Sequence, residues 1–359
     1  MSTSLQIALL GYGTVGRQLT ELLDTREVGV SIKWILRRPG KAQGARMTDD
    51  IEQILNDPQV DVVVDVLAGA HPAYDYTLRA LKAGKSVVSA NKAALAQDFS
   101  GLNRLAQSQG VTLLFEAACG GGMPIVEAIK KTARFDQITA LEGILNGTCN
   151  FMLDKMDAEG LAFDDVLREA QALGYAEADP TADISGEDVR NKAIIACSLA
   201  YRTPVTRDFP VSGIVGVTKD FFERLHAQGK TLRLMMLSWR EADRYAIGVV
   251  PVVLAQNTIA ASIKKNFNYA KWEGDVVGAL SLAGQGAGGL PTSDAIVQDL
   301  ITRSRGVAEP ALLDHNLTYD PTLLRGRAYL GDTIEENLSL TDAIARAQSL
   351  QCFLAFEPN

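Results

Sequence analysis

The sequence predicts an α/β fold in which an N-terminal, doubly wound parallel sheet is followed by a second, α+β domain. A short apolar run at residues 7–10 leads into a glycine-rich turn and then into a segment with helical spacing. Further apolar runs alternate with helical segments as far as residue 115. The 359 residues, 47% of them hydrophobic, are enough for two domains that each bury a core.

The first turn carries three glycines, each with its own task. Gly11 permits a tight turn, Gly13 lets backbone amides approach a pyrophosphate, and Gly16 lets the helix pack closely on the strand. The helix N-terminus then faces the anion, so the pattern predicts a dinucleotide site of the Rossmann type. The candidate cofactor-binding residues of this turn are Gly11, Tyr12, Gly13, Thr14, Val15 and Gly16.

The second strand, residues 30–36, is followed by two arginines where an NAD site usually has an acidic residue. Guanidinium groups of Arg37 and Arg38 can pair with a 2′-phosphate, which favours NADP over NAD. The alternative is a pair of solvated surface arginines.

Residues 61–67 predict a third strand, 76–84 a helix closed by glycine, 86–89 a fourth strand and 110–115 a fifth. Asn91 and Lys92 come directly after the fourth strand, at the sheet edge where such folds bind ligands. Lys92 alone could equally be a surface charge.

Charge, hydropathy and cysteine usage exclude several classes of protein. A formal net charge of −8 argues against nucleic-acid binding. No apolar stretch approaches the roughly 20 residues of a membrane span, and no secretory leader is recognisable, so we expect a cytoplasmic protein. Four scattered cysteines and three separated histidines support neither zinc nor disulfides.

An acidic segment at residues 175–192 concentrates carboxylates around the start of a predicted helix. Asp188 and Lys192 are four residues apart and share one helix face, and Ser185 could cap that helix. For an isolated sequence the simpler interpretation is an exposed ion pair.

Five motifs in order identify a resemblance. They are Glu-Ala-Ala-Cys-Gly-Gly-Gly-Met-Pro at 116–124, Gly-Ile-Leu-Asn-Gly-Thr-Cys-Asn at 143–150, the acidic segments 170–180 and 183–192, and Gly-Gln-Gly-Ala-Gly-Gly-Leu-Pro-Thr at 284–292. The chain resembles the homoserine dehydrogenase family over roughly residues 5–305. The resemblance implies NAD(P)-dependent interconversion of L-homoserine and L-aspartate 4-semialdehyde, in the pathway to threonine, methionine and isoleucine.

The resemblance also implies roles for individual residues. Lys192, Asp188 and Lys92 would surround the reacting oxygen, and we expect Lys192 to be the acid/base although either lysine could carry the proton. The implied substrate-binding residues are Glu177, Asp183, Asn146, Gly147, Thr148, Gly174 and Tyr175. The implied additional cofactor-binding residues are Asn91, Lys92, Gly284, Gly286 and Gly288. A monovalent cation, Na⁺ or K⁺, would be bound by Glu116, Cys119, Gly121 and Met123.

We expect a dinucleotide-binding domain at residues 1–136, a substrate-binding and dimerisation domain at 137–285, a returning helix at 286–305 and an extension of unknown role at 306–359. The resemblance implies a homodimer or higher homo-oligomer. The remaining predicted elements are strands at 209–214, 245–253, 259–263 and 275–282, and helices at 216–237, 291–304 and 338–350.

Two other functions remain open. A related dehydrogenase that acylates a cysteine would need a reactive thiolate, for which Cys119 is the candidate. A non-catalytic sensor of the dinucleotide would have no need of the cluster around Lys192.

Overall fold

The computed structural model describes residues 4–306 and 310–359. The strands are β1 Leu5–Leu10, β2 Val30–Leu36, β3 Met47–Thr48, β4 Val62–Asp65, β5 Ser86–Ser89, β6 Leu113–Leu114, β7 Ile138–Ile144, β8 Lys230–Glu241, β9 Arg244–Ala255, β10 Phe267–Gly274, β11 Gly278–Gln285, β12 Thr318–Tyr319, β13 Arg325–Leu330, β14 Thr333–Ser339 and β15 Leu354–Pro358. The helices are α1 Thr14–Thr25, α2 Ile51–Leu55, α3 Ala73–Lys82, α4 Lys92–Leu95, α5 Phe99–Ser108, α6 Ile125–Ala133, α7 Gly147–Glu159, α8 Phe163–Ala172, α9 Thr181–Ile184, α10 Glu187–Tyr201, α11 Lys219–His226, α12 Gly289–Ser304 and α13 Leu340–Leu350. Short 3₁₀ turns lie at Glu116–Ala118, Ala260–Ser262 and Pro321–Leu323.

The first of two compact units comprises Met1–Glu127 and Ala287–Leu312. Its described strands form one parallel sheet in the order β3-β2-β1-β4-β5-β6. The central strands β1 and β4 are almost completely buried, which explains why they are continuous apolar runs. Successive strands are added to one side of β1 up to β3 and to its other side from β4 onwards, so the strand order reverses between β1 and β4. Such a switch point is where dinucleotides bind. The predicted doubly wound sheet is confirmed.

Helix α12 belongs to this first unit although it comes late in the chain. Its residues Ile296 and Leu300 are fully buried in the same core as Leu19 of α1. Ser293 Oγ donates to the carbonyl of Val15 at 3.3 Å, which fixes α12 against the first turn of α1.

The second unit comprises Ala128–Gly286 and Leu313–Asn359. Its described strands form a mixed sheet in the order β11-β10-β7-β8-β9-β15-β13-β14, and β12 also pairs with β9. The segment after residue 312 supplies four of these strands and α13, and β15 lies between β9 and β13. The predicted extension is therefore integrated into the sheet of the second unit.

Helix α10 covers one face of this sheet. Cys197 Sγ lies 3.8 Å from Met236 Sδ of β8, and the hydroxyl groups of Tyr201 and Ser238 are 2.7 Å apart. The opposite face packs against α13, whose Leu340 and Ala343 are fully buried. Across the described residues, no helix is long and apolar enough to cross a membrane.

The predicted long helix at 216–237 is wrong. The structure has the short helix α11 followed by strand β8, whose residues 231–238 are all buried. A strand that is buried on both faces lacks the polar alternation by which strands are recognised, and its continuous apolar run is compatible with a helix.

Three other predicted elements differ from the structure. Residues 259–263 contain a 3₁₀ turn, and residues 209–214 contribute only an isolated bridge between Val211 and Val249. Residues 275–277 form the turn between β10 and β11, and β10 itself was not predicted. In the first unit β4 and β6 are shorter than the predicted third and fifth strands.

The strand at 245–253 and the helices at 291–304 and 338–350 are confirmed within a few residues. The predicted segments also include residues 1–3 and 307–309, which lie outside the described residues.

Candidate active site

The glycine turn of the first unit has the geometry that its spacing predicts. Gly11 has a φ of +101°, and a Cβ there would lie 3.2 Å from the carbonyl oxygen of Val66. A Cβ on Gly16 would lie 2.6 Å from the carbonyl oxygen of Gly11, so only glycine fits. Gly13 has nothing within 4 Å of its Cβ position, which leaves room for a ligand beside its backbone. Tyr12 lies within the turn, and α1 begins with Thr14 and Val15.

A cleft of about 720 Å³ opens beside this turn. Three cations, Arg37, Arg38 and Lys41, line it together with one carboxylate, Asp49. The guanidinium of Arg37 lies over the ring of Tyr12, 5.3 Å from its centroid. Sequence reasoning did not select Lys41, which lies three residues beyond the arginine pair. The remaining lining residues are Gly11, Gly13, Leu36, Pro39, Val66, Leu67, Ala68, His71, Pro72 and Tyr76.

A buried polar network supports the loop that follows β4 on the other side of the cleft. Asp65 is fully buried, and its carboxylate accepts hydrogen bonds from Leu67 N at 3.0 Å and Ser89 Oγ at 3.1 Å. Burial raises the pKa of Asp65 to about 6, although both hydrogen bonds act to lower it. Sequence reasoning missed Asp65, since an acidic residue at the end of an apolar run was its only signal.

Asn91 and Lys92 lie at the carboxyl end of β5. Asn91 donates from Nδ2 to the carbonyls of Leu67 and Gly69 at 3.0 and 2.8 Å, and its Oδ1 accepts Ala94 N. Asn91 therefore caps α4 and holds the loop of the cleft. Lys92 is the first residue of α4 and is half-buried.

Glu116 is buried in the loop before α6. Its two carboxylate oxygens accept the backbone amides of Val126 and Glu127, each at 2.9 Å. The carbonyl of Met123 accepts the amide of Ile125 at 2.8 Å. Cys119 is buried, and Gly121 has a φ of +59°. Within residues 4–306 and 310–359, no group of three acidic, histidine or cysteine side chains could hold a metal ion.

In the second unit Asn146 connects the predicted substrate and catalytic residues. It lies just beyond β7 and caps α7, since its Oδ1 accepts Cys149 N at 2.8 Å. Its Nδ2 donates to Asp183 Oδ1 at 2.7 Å and to Asp188 Oδ2 at 2.9 Å. One carboxamide thus caps a helix and orients two carboxylates.

Lys192 and Asp188 lie on one face of α10, as the spacing predicted. The Nζ of Lys192 donates to Asp188 Oδ2 at 2.8 Å and to the carbonyl of Leu145. The two side chains are 8% and 9% exposed, so this is a buried ion pair and not the exposed pair of the simpler interpretation. Ser185 does not cap the helix: α10 starts after Gly186, whose φ of +87° and close neighbours favour glycine.

The remaining predicted substrate residues lie around the start of α7. Thr148 Oγ1 donates to the carbonyl of Tyr175, and the rings of Phe151 and Tyr175 meet edge to face at 5.0 Å. A Cβ on Gly147 would lie 2.7 Å from the carbonyl oxygen of Asn266. Gly174 has a φ of +75° and closes α8.

Glu177 is placed differently from the other predicted substrate residues. Its side chain is exposed, and its backbone carbonyl accepts Gln171 Nε2 at 3.1 Å. The structure brings Asn146, Asp183, Asp188 and Lys192 into direct contact, and it does not bring Glu177 into that hydrogen-bonded group.

The two cysteines near the predicted sites are both buried. Cys149 Sγ donates to the carbonyl of Asp183 at 3.2 Å. Burial raises the pKa of its thiol well above the ordinary value, and the charges of Asp183 and Asp188 raise it further. Cys119 is 0% exposed. These environments oppose the accessible thiolate that an acylating dehydrogenase requires.

The later glycine motif runs from the end of β11 into α12. Gly284 pairs with Asn268 of β10, and a Cβ on Gly286 would overlap the Asn268 carboxamide. Gly288 has a φ of +120° and precedes the first turn of α12. In the first unit, a Cβ on Gly122 would lie 2.9 Å from the Cβ of Pro291, and a Cβ on Gly289 would overlap the carboxamide of Gln18.

Comparisons with known families match two consecutive parts of the chain. The family model described as homoserine dehydrogenase, NAD binding domain, matches residues 11–116, and the model described as homoserine dehydrogenase matches residues 124–301. The homoserine dehydrogenase of Corynebacterium glutamicum is 36% identical over 83% of this chain and 72% of its own length. That of Bacillus subtilis is 31% identical over 97% of this chain and 81% of its own. The resemblance thus extends beyond residue 305.

Solved structures give the same result. The homoserine dehydrogenase of Thiobacillus denitrificans superimposes with a TM-score of 0.87 at 28% identity, covering 98% of both chains. A hyperthermophilic archaeal homoserine dehydrogenase in complex with NADPH has a TM-score of 0.74 at 24% identity, over 86% of this chain and 99% of that one. At that identity the second likeness concerns the fold alone.

Neither the acylating dehydrogenase nor the sensor describes the chain better than the homoserine dehydrogenase family does. This follows from the cleft beside the glycine turn, the buried Lys192–Asp188 pair and these matches. The chain belongs to the homoserine dehydrogenase family, and it is an NAD(P)-dependent oxidoreductase that interconverts L-homoserine and L-aspartate 4-semialdehyde.

Proposed function

We propose that Lys192 moves the proton to and from the reacting oxygen, with Asp188 and Asn146 as its positioning residues. The observation that carries this proposal is the buried chain of hydrogen bonds from Asn146 Nδ2 through Asp188 Oδ2 to Lys192 Nζ. A carboxylate that accepts from both groups at once holds the ammonium in a single place. Fixed donors at the reacting oxygen stabilise the charge that develops there.

The other predicted residues hold the substrate. Asp183 supplies a carboxylate for the substrate ammonium, already oriented by Asn146 at 2.7 Å. Glu177 supplies a second carboxylate from the exposed side, which is supported only by its place in the motif. Lys92 polarises the carbonyl oxygen. The rest of the pocket is formed by backbone groups of Gly147, Thr148, Gly174 and Tyr175.

When bound, the nicotinamide dinucleotide supplies or accepts the hydride. We assign its pyrophosphate to the glycine turn 11–16 and the end of α1, because Gly13 has open space and the helix N-terminus favours an anion. Asn91, Gly284, Gly286 and Gly288 complete the proposed cofactor contacts.

We further propose NADP as the preferred cofactor. Arg37, Arg38 and Lys41 give the cleft three cations against the single carboxylate Asp49. A 2′-phosphate adds up to two negative charges to the adenosine ribose, and guanidinium groups bind such an oxyanion with paired hydrogen bonds. NAD lacks this phosphate and gains nothing from the arginines.

A monovalent cation at the loop 116–123 fits the donor types in part. Glu116 is a buried carboxylate, and hard cations prefer oxygen ligands such as carboxylates and carbonyls. The carboxylate and the carbonyl of Met123 already accept backbone amides, so a cation would share them. The carbonyls of Cys119 and Gly121 would complete the set. No catalytic step is assigned to this ion.

We also propose that the first unit binds the dinucleotide, that the second binds the substrate and forms a homodimer, and that the enzyme is cytoplasmic. The matched family domains support the first assignment. Within the part of the chain that the structure describes, the four cysteines form no disulfide, which supports a reducing compartment.

The roles of the two lysines are tested by comparing Lys192→Ala with Lys92→Ala, with exposed Lys82→Ala as the control. Hydride transfer is followed by nicotinamide absorbance in both directions over a range of pH. We expect Lys192→Ala to lower kcat by about 10²-fold or more and to change the pH profile. Near-normal turnover by Lys192→Ala would remove it from the mechanism, and a larger loss for Lys92→Ala would transfer the role to that residue.

A further inference from the structure

Asn268, on strand β10, is a buried polar residue whose side chain has no hydrogen-bond partner within residues 4–306 and 310–359. It is 1% exposed, and neither its Oδ1 nor its Nδ2 has a partner among the described residues. Buried carboxamides nearly always have partners, because an unpaired buried donor or acceptor lowers stability. An Asn that is unpaired at both atoms therefore calls for a partner outside the folded chain itself.

The sheet register places Asn268 beside the catalytic cluster. Tyr269 pairs with Ile144, so the preceding residue Asn268 lies next to Leu145, the residue that follows β7. The carbonyl of Leu145 accepts the Nζ of Lys192. Asn268 is thus about one strand spacing, roughly 5 Å, from the backbone group that holds Lys192.

The direction of its side chain agrees with this position. Paired residues of neighbouring strands share a face, and Ala270 of β10 pairs with Gly143, which pairs with Met236 of β8. Met236 contacts Cys197 of α10. Asn268 is two residues from Ala270 and therefore points to the same face, the one covered by the helix that carries Lys192.

The strand on the other side of Asn268 presents glycine. Gly284 is its direct partner in β11, and a Cβ on Gly286 would overlap its carboxamide. The Asn268 carboxamide thus occupies the position that a side chain at residue 286 would take, and neither glycine has a side chain that could satisfy it. The backbone at 284–286 can also rearrange more readily than that of other residues.

We propose that Asn268 is a substrate-binding residue whose carboxamide hydrogen-bonds the hydroxyl of homoserine next to Lys192. A hydroxyl both donates and accepts, which matches a carboxamide that offers one acceptor and two donors. The aldehyde oxygen of the reverse substrate accepts from Nδ2 alone. Substrate binding shifts the backbone at 284–286 away from the carboxamide. The proposal rests on the assignment of Lys192 to the reacting oxygen.

The test compares two ligands that differ only in this hydroxyl, L-homoserine and L-2-aminobutyrate. Each is titrated against the complex of the full-length enzyme with NADPH, which cannot oxidise the alcohol, and binding is followed by NADPH fluorescence. Asn268→Leu replaces the carboxamide with an apolar group of similar size. We expect it to weaken homoserine binding by about 10-fold or more and to leave L-2-aminobutyrate unchanged.

Thermal unfolding of the same variant separates binding from folding. Removing two unpaired buried polar atoms should leave Tm unchanged or raise it, so weaker binding by a stable variant identifies a ligand contact. Equal weakening of both ligands, or of neither, would overturn the proposal. Because these measurements need no turnover, they remain decisive even if Lys192→Ala shows that another group carries the proton.

The buried Asn103 provides a matched control. It is 4% exposed, and its Nδ2 donates to the carbonyl of Phe99 at 2.7 Å within α5. Asn103→Leu should lower Tm, because it removes a buried hydrogen bond, and it should not change the difference in affinity between the two ligands. If Asn103→Leu did change the difference in affinity between the two ligands, the effect of Asn268→Leu would reflect the loss of any buried Asn and not a contact with the hydroxyl.

Discussion

The dinucleotide cleft of the first unit and the Asn146–Asp183–Asp188–Lys192 cluster of the second use charge in opposite ways. In the cleft, Arg37, Arg38 and Lys41 line an open cavity with a single carboxylate among them. In the cluster, the Asn146 carboxamide and the ammonium of Lys192 already bind the carboxylates of Asp183 and Asp188 at 2.7–2.9 Å. The first arrangement attracts an anionic ligand, and the second holds reactive groups in place before any ligand arrives.

The comparison therefore predicts that the cluster is the more sensitive to isosteric change. Asp188→Asn preserves shape but removes the anion beside Lys192, so we expect kcat to fall by about 10²-fold. Both directions should be assayed under saturating dinucleotide. If the variant retained more than about half of the activity, the Asp188–Lys192 pair would have only a structural role. The proposed difference between the cleft and the cluster would then be wrong.

The cleft should respond through affinity and not through turnover. Replacing Arg37 and Arg38 together by alanine should raise the KM for NADP by about 10- to 100-fold and leave the KM for NAD nearly unchanged. Exposed Arg26, which is not among the residues that line the cleft, provides the control Arg26→Ala. Equal losses for both cofactors would contradict the assignment of the arginines to a 2′-phosphate.

Asn146 allows the two functions of one carboxamide to be separated. Asn146→Ser retains an oxygen that can cap α7 but loses the donors to Asp183 and Asp188. We expect kcat/KM to fall by about 10-fold with little change in Tm, whereas Asn146→Ala should lower both. If Asn146→Ser were fully active, the carboxylates would be held by other contacts.

The smallest effect is expected at Asp65, beneath the cleft. Its pKa is raised to about 6 from 3.8, so its burial costs stability above pH 6, and the cost disappears as pH falls towards 4. Asp65→Asn should therefore raise Tm by a few degrees at pH 7.5 and by much less at pH 4.5. Thermal unfolding at both pH values checks this, and a difference in Tm that does not change with pH would show that Asp65 does not titrate there.

The two regions also differ in how far the sequence predicted them. The glycine turn and its helix form from one short stretch of chain, and a Cβ on Gly16 would lie 2.6 Å from the carbonyl oxygen of Gly11, five residues earlier. The Asp188–Lys192 pair was predictable for the same reason, since four residues of helix place both on one face.

Contacts between distant segments were not predictable from spacing. Asn146 hydrogen-bonds Asp183 and Asp188, which are 37 and 42 residues away in sequence. Asn268 is brought beside Leu145, next to the cluster, only by the register of β10 with β7. The buried strand β8 was mistaken for helix because its neighbours on both faces, and not its own pattern, determine its state.

The first unit is built from two stretches of chain that are far apart in sequence, and this has a consequence for its synthesis. During translation the first 127 residues emerge well before α12, whose Ile296 and Leu300 complete their core and whose Asp299 accepts the amide of Glu116 at 2.9 Å. In the nascent chain, that apolar surface stays exposed to solvent until all residues from β7 to β11 have been synthesised and α12 follows. Ribosome-bound intermediates of this enzyme should therefore be good clients for chaperones that bind exposed hydrophobic segments.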